Sequence, residues 1–487
     1  MKKIILILIL SVSVFAANYS IREQIARTSS NYAKYYRQYS VEQLKKAGAA
    51  ATKEILATLE ISNDSAQIGN LLEVLHSTTP ENISPQPNYK VLLRFITSPN
   101  KDFADSAINI LGRTHDTEVL FSLIDNANKH ELAPTTMYYT ISSIYRMNIG
   151  VDPNLIIPFL KKDITPAAKE VLLKIVLRNS GSSINDSNFN SLLMQLYSDD
   201  AGIPELIIRI ASNPKQDKEK NIIAFYKKIK SGKIVPNEPT PALNRSKQGV
   251  VIEHLIHILE KINSKEARQF LHSVAESIYD VGRYDAVEAL RELKDTTAID
   301  LVIRGLRTPD PLAHATLKRY LTDTNIVCFS REKLIEQLNY AHEPKFQTAL
   351  IDVLKYVGDT GVLFAVAPKL SSTITGVRAA AEVCIVDMKN MNIRDYIEGI
   401  KANDPYLRSL CMQALFKRHF ARPQNKQDFI LALNDNDRNA RLYAAKILVQ
   451  NYKVPFAEIE KFAKQEKDSQ IKRILYSAPK GRTGVGP

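Results

Sequence analysis

Thirteen stretches of this chain place apolar residues at the same helical offsets, and that regularity limits what the chain can fold into. In DNDRNARLYAAKIL the residues Ala440, Tyr443, Ala444, Ile447 and Leu448 stand at i, i+3, i+4, i+7 and i+8. At 3.6 residues per turn these five form one stripe of an α-helix, and such a helix must bury the stripe against a neighbour. The same stripe begins at Ile68, Phe103, Thr136, Ala168, Ile203, Val251, Ala286, Ala313, Phe346, Val377 and Leu407, with a shorter copy at Ile471. Successive copies start 27 to 35 residues apart, except for one interval of 48. A period of this size marks a stacked array in which each unit hides its apolar face only against the units beside it.

Each period has room for two helices. Between stripes lie second apolar segments such as IRDYIEGIKAND (393–404) and EVLFSLIDNA (118–127), so the unit is an antiparallel helical pair. Turn chemistry agrees. Asp200, Asp310, Asp404, Asp437 and Asp468 each precede a stripe by three residues, where a carboxylate caps free amides. Pro166, Pro311, Pro344 and Pro405 follow where a missing amide costs little. Seventeen glycines and no tryptophan also suit a helical chain better than a turn-rich sheet protein. The expected fold is all-α: a superhelical α-solenoid of about 12–13 antiparallel pairs, preceded by an N-terminal capping helix.

The pattern Asp404, Pro405, Leu407, Arg408, Cys411, Leu415, repeated as Asp437, Ala440, Arg441, Ala444, Leu448, resembles the HEAT repeat in its short bacterial form. The resemblance covers about residues 60–478. It implies a ladder between neighbouring units built by Asp404, Asp437 and Asp468 with Arg378, Arg408, Arg441 and Lys472. The Arg slot holds His314, Gln347, Lys169, Met137 and Ala104 in other copies, so the implied ladder is incomplete in the N-terminal half. HEAT-like arrays also occur in lyases that attach bilin pigments, which makes an enzyme subunit one implied alternative.

The start of the chain, MKKIILILILSVSVFAANYS, reads as a secretory signal peptide cut after Ala16 or Ala17. Export to the periplasm follows as an expectation, with secretion as the alternative. No later run of 18 apolar residues suggests a membrane anchor in the mature chain. The organisation this predicts is a signal peptide (1–16), an N-terminal helical cap (17–60), a HEAT-like subarray (61–233), a proline-rich linker (234–249), a second subarray (250–478) and a disordered tail (479–487). Within the cap, Tyr32, Tyr35, Tyr36 and Tyr39 fall on one helical stripe, either covering the open end of the core or offering a tyrosine-rich partner surface.

No phosphate loop, nucleophile elbow or paired-cysteine zinc motif occurs, so no catalytic, cofactor or metal residue is assigned. The nearest approach is His254 and His257 with Glu253 and Glu260, but His254 takes a core slot of its stripe. Cys328, Cys384 and Cys411 are too few for a disulfide framework, and Cys384 and Cys411 read as small buried apolar residues. The formal charge of +13 falls by two, to +11, when Lys2 and Lys3 leave. That balance permits an anionic envelope polymer or lipid surface as partner, through Lys215, Lys218, Lys220, Lys227, Lys228, Lys230 and Lys233 or through Lys461, Lys464, Lys467 and Lys472. A solvated face explains the same lysines. The leading expectation is a non-enzymatic scaffold that binds one or more proteins on its solenoid surface, with no nucleic acid involved.

Overall fold

Second helices start where the sequence caps them. In the computed structural model, Asp404 accepts from the amide of Tyr406, Asp437 from that of Ala440, and Asp468 from those of Gln470 and Ile471. These caps open helices Pro405–Lys417, Arg438–Lys446 and Ser469–Tyr476. Pro166, Pro344 and Pro405 each take the first helical position. The structure describes residues 19–79, 89–235, 240–308 and 311–480, with Pro311 and Leu312 as backbone only. Asp310 and the 1–16 segment lie outside the described residues.

The chain divides into two compact units, Met1–Ile262 and Asn263–Pro487. In the first, the striped helices Ser65–Thr78, Lys101–Leu111, Pro134–Met147, Pro166–Arg178, Gly202–Ala211 and Pro241–Ile262 pack one on the next. Their partners, among them Ala49–Ile61, Thr117–Lys129, Asp186–Met194 and Glu219–Lys230, form a parallel layer of first helices. The second unit repeats the plan, with striped helices Arg283–Glu292, Pro311–Leu321, Pro344–Val357, Thr375–Asp387, Pro405–Lys417, Arg438–Lys446 and Ser469–Tyr476. No strand occurs among the described residues. Each unit is therefore an α-solenoid, and its core is the apolar seam between the two layers. Ile207, Ile210, Leu290, Leu350, Cys411 and Leu415 lie in that seam with no exposed surface. Each large side chain buried this fully contributes about 1.5–3 kcal/mol.

Three expectations change. The linker at 234–249 ends early, because helix Pro241–Ile262 begins inside it. Thr240 Oγ1 accepts from the amide of Leu243 at 3.3 Å, Pro241 stands at the first helical position, and Ala242, Leu243, Arg245, Lys247 and Gln248 are good helix formers. The division between units accordingly falls after Ile262 rather than in the linker.

The N-terminal cap is not one capping helix. Ile21–Ala26 and Lys34–Ala47 are a helical pair, the first packing on Ala49–Ile61 and the second on Ser65–Thr78, the arrangement that later pairs repeat in their second helices. Ala49–Ile61 is already the first helix of the next pair. At the start of the expected tail, the Pro479 carbonyl accepts from the Phe456 amide at 2.9 Å, and residues 481–487 lie outside the described residues.

Candidate protein-binding surface

Two of the four cations expected in a ladder, Arg408 and Arg441, reach across to the next unit, and the acids they meet are not the capping aspartates. Arg408 donates from Nε to Asp435 Oδ2 at 2.6 Å and from Nη2 to Asp435 Oδ1 at 2.8 Å. Arg441 makes the equivalent pair with Glu466, at 2.9 Å and 3.4 Å. Asp435 and Glu466 each stand two residues before a capping aspartate, so Asp437 and Asp468 accept from helix amides while the acid upstream meets the guanidinium. Asp468 does both, accepting also from Arg438 Nε at 2.7 Å. Burial works against the charge on Asp435, yet the Arg408 bonds, the Asp437 amide and the nearby Arg441 together outweigh it and hold its carboxyl below the usual range.

A second regularity links the slot residues to their own turns. Arg378, Arg408 and Arg441 each donate to the carbonyl six residues earlier, those of Ser372, Ala402 and Asp435. Gln347 reaches the Ala341 carbonyl and His314 the Thr308 carbonyl in the same way. The slot therefore fastens the turn between paired helices first. Arg378 has no carboxylate partner among the described residues, because Ala402 occupies the place of the acid. Lys472 is exposed and likewise has none there.

The tyrosines of the first pair do not close the core. Ser40, Val41 and Leu44 are the buried residues of Lys34–Ala47. Tyr35 stands nine residues, two and a half turns, before Leu44 and so faces the other way. It is 73 % exposed and Tyr36 38 %, their rings meeting edge to face at 5.7 Å. Tyr39 is partly exposed, and Tyr32, also exposed, precedes the helix. The four share solvent, not one helical stripe.

A further aromatic patch was hidden in the sequence. Tyr138 and Tyr145, one stripe of two turns on Pro134–Met147, are both exposed, and Tyr138 meets Tyr139 at 5.8 Å. The Arg178 guanidinium covers Tyr145 at 5.2 Å. Beside them a groove of about 520 Å³ runs along the second helices, lined by Phe103, Tyr139, His76, Glu73, Asp102 and Asp105. TTMYYTISSIYRM reads as a core stripe because its apolar residues crowd together, and only burial separates Met137 and Ile141, which are inside, from Tyr138, which is outside.

Other candidates resolve into structure. His254 is half-buried rather than in the core, and burial pushes its pKa below the ordinary value. His257 Nδ1 lies 3.0 Å from Glu260 Oε2. No group of three or more His, Cys, Asp or Glu is placed to hold a metal among the described residues. Lys218 pairs with Asp186 at 2.6 Å and Lys464 with Glu460 at 2.8 Å. All three cysteines are free, Cys384 and Cys411 buried and Cys328 exposed. No described helix is long and apolar enough to cross a membrane.

No protein-family model and no curated protein matches the chain. Among solved structures, one from work on a phosphorylation switch between cadherin and beta-catenin is 12% identical over 89% of this chain and 99% of that chain, with a TM-score of 0.36. A Kap121p mutant is 12% identical over 92% of this chain and 56% of its own, at 0.39, so this chain spans little more than half of it. Kap95p with RanGDP is 12% identical over 94% and 66%, at 0.29. Superpositions this loose leave the fold resting on the helix contacts themselves. Those contacts, in which striped helices pack on striped helices and each on its own first helix, make each unit an α-solenoid of antiparallel helical pairs.

Proposed function

We propose that this chain is an exported scaffold that holds one or more proteins along its second-helix surface and carries out no chemistry of its own. The observation that carries the reading is the exposed Tyr138 and Tyr145 with the partly buried Tyr139 between them lining an acid-lined groove. Tyrosine offers a large amphipathic contact at low conformational cost and is enriched where protein interfaces are fully buried. A solenoid supplies such a surface over many units, because every second helix adds one more row. Export rests on the charged, apolar and small-residue order of MKKIILILILSVSVFAANYS.

The test is recovery of partners by the tagged full-length chain from a periplasmic extract, beside a Tyr138→Ala/Tyr145→Ala variant. A defined protein captured by the wild type and reduced with the variant supports the scaffold. Capture of nothing above the control overturns it.

A further inference from the structure

In the second unit, helices Pro311–Leu321 and Pro344–Val357 touch each other less, among the described residues, than the other adjacent second helices do. A groove of about 520 Å³ opens there, mostly apolar and open along one side. Small residues are among its lining. A Cβ added at Gly376 would meet nothing within 4 Å, and Thr348 and Ala349 line it too. Leu306 and Val353 supply a buried apolar floor, while Ile374 is 46% exposed at the wall.

Among the described residues the rim is cationic and only in part neutralised. Asp352 is the one carboxylate among its described lining residues, and it is already held by Lys318 at 2.8 Å and Lys355 at 3.5 Å. Arg307 stacks on Phe346, its guanidinium 4.6 Å from the ring centroid, and neither Arg307 nor Lys345 has a carboxylate partner among the described residues. An apolar seat beside two unpaired cations asks for an apolar group flanked by carboxylates.

We propose that this groove receives an extended acidic peptide segment of a protein partner, one apolar side chain against Val353 and Ile374 and its carboxylates on Arg307 and Lys345. A fatty acid carries the same two kinds of group, but an open groove leaves much of an acyl chain in water, whereas sites for small apolar ligands bury most of the ligand. A guanidinium placed over an aromatic ring keeps N–H groups with which to take a carboxylate through two bonds. This inference rests on the scaffold reading and narrows it to one place and one partner chemistry.

The experiment measures fluorescence anisotropy of the full chain with a labelled peptide that alternates Asp or Glu with Leu, beside its Lys-for-acid twin. The acidic peptide binds, less tightly as salt rises, and the lysine twin does not. Arg307→Glu/Lys345→Glu weakens binding about tenfold or more, the loss of about 1.4 kcal/mol. Gly376→Leu fills the seat while leaving the charges alone and weakens binding similarly; a glycine replaced within a helix leaves the fold sound. Equal binding by wild type and both variants, or displacement of the peptide by oleate at equal concentration, overturns the inference. If periplasmic partners are recovered equally by wild type and both variants, the groove assignment fails while the scaffold stands. If the wild type recovers none, the scaffold itself fails.

Discussion

Arg408 and Asp435 join neighbouring helical pairs through two parallel contacts, while Arg408 Nη1 reaches back to the carbonyls of Ala402 and Asn403 at 2.8 Å and 2.9 Å. One guanidinium thus fastens its own turn and the next unit together. With the side chains only 17% and 7% exposed, removing either partner strands the other. Arg408→Met should cost about 3 kcal/mol, as should Asp435→Leu. The double variant should recover a coupling of about 1–3 kcal/mol. Amide hydrogen exchange across Pro405–Lys417 and Arg438–Lys446 reads this locally, where global unfolding of a repeat array is not two-state.

The adjacent unit supplies the converse. Arg378 makes its turn contact but faces Ala402 where its neighbours face Asp435 and Glu466. Ala402→Asp should complete the missing rung and slow exchange in Thr375–Asp387, by up to about 1 kcal/mol for a partly exposed pair. Arg378→Met should abolish that gain; a gain that persists in the double variant means the new carboxylate acts elsewhere.

These two cases mark how far the sequence could be read. The period, the pairing of helices and the capping Asp404, Asp437 and Asp468 were all legible, because helical spacing and N-caps are local. The arginine slot was legible too, but its acid was not. Two acids compete in NDNDR and only three-dimensional packing decides that Asp437 caps while Asp435 crosses to Arg408. The same limit applies to Tyr35 and Tyr138. A tyrosine counts as apolar in a stripe, so sequence spacing cannot say which edge of the stripe is wet.

The thiols give a simple readout of the seam. Burial pushes the Cys384 thiol up to about 12 and that of Cys411 higher, where little thiolate exists at neutral pH. A thiol-specific chromogenic reagent should therefore modify one cysteine per native chain, Cys328, and all three in denaturant. Rapid native modification of Cys328→Ser would show that the seam around Cys384 and Cys411 opens readily.

Close approach of second helices should be equally testable at Gly112. A Cβ there would lie 2.4 Å from Ser143 Cβ and 2.7 Å from its Cα, so the obstruction includes backbone. Gly112→Ala should cost about 1–3 kcal/mol or more through overpacking, read as faster exchange in both Lys101–Leu111 and Pro134–Met147. Ser143→Ala should not rescue it, since the offending Cβ remains, whereas Ser143→Gly should do so in part.

Asp64 is among the carboxylates that tie the N-terminal pair to the array, with Glu54 and Glu73. Asp64 Oδ1 accepts from the amides of Ala66 and Gln67 at 2.8 Å and 3.0 Å, capping Ser65–Thr78. Its Oδ2 accepts from Ser30 N and Oγ at 2.7 Å and 2.6 Å. Burial disfavours the charge, yet these four bonds outweigh it and lower the pKa to about 2 from 3.8. A carboxyl depressed on folding contributes stability that is complete above its unfolded pKa and is lost as pH falls through the folded one. The window is therefore about pH 4 down to pH 2, and the contribution at neutral pH is at most about 2 kcal/mol, less what solvent screens. Acidification should release the Ser30 and Ala66 amides to exchange before those of Leu71 and Leu72, deep in the same helix. Asp64→Asn should flatten that pH dependence while keeping part of the cap, since asparagine also caps helices. An unchanged acid profile in the variant would move the acid sensitivity to another group.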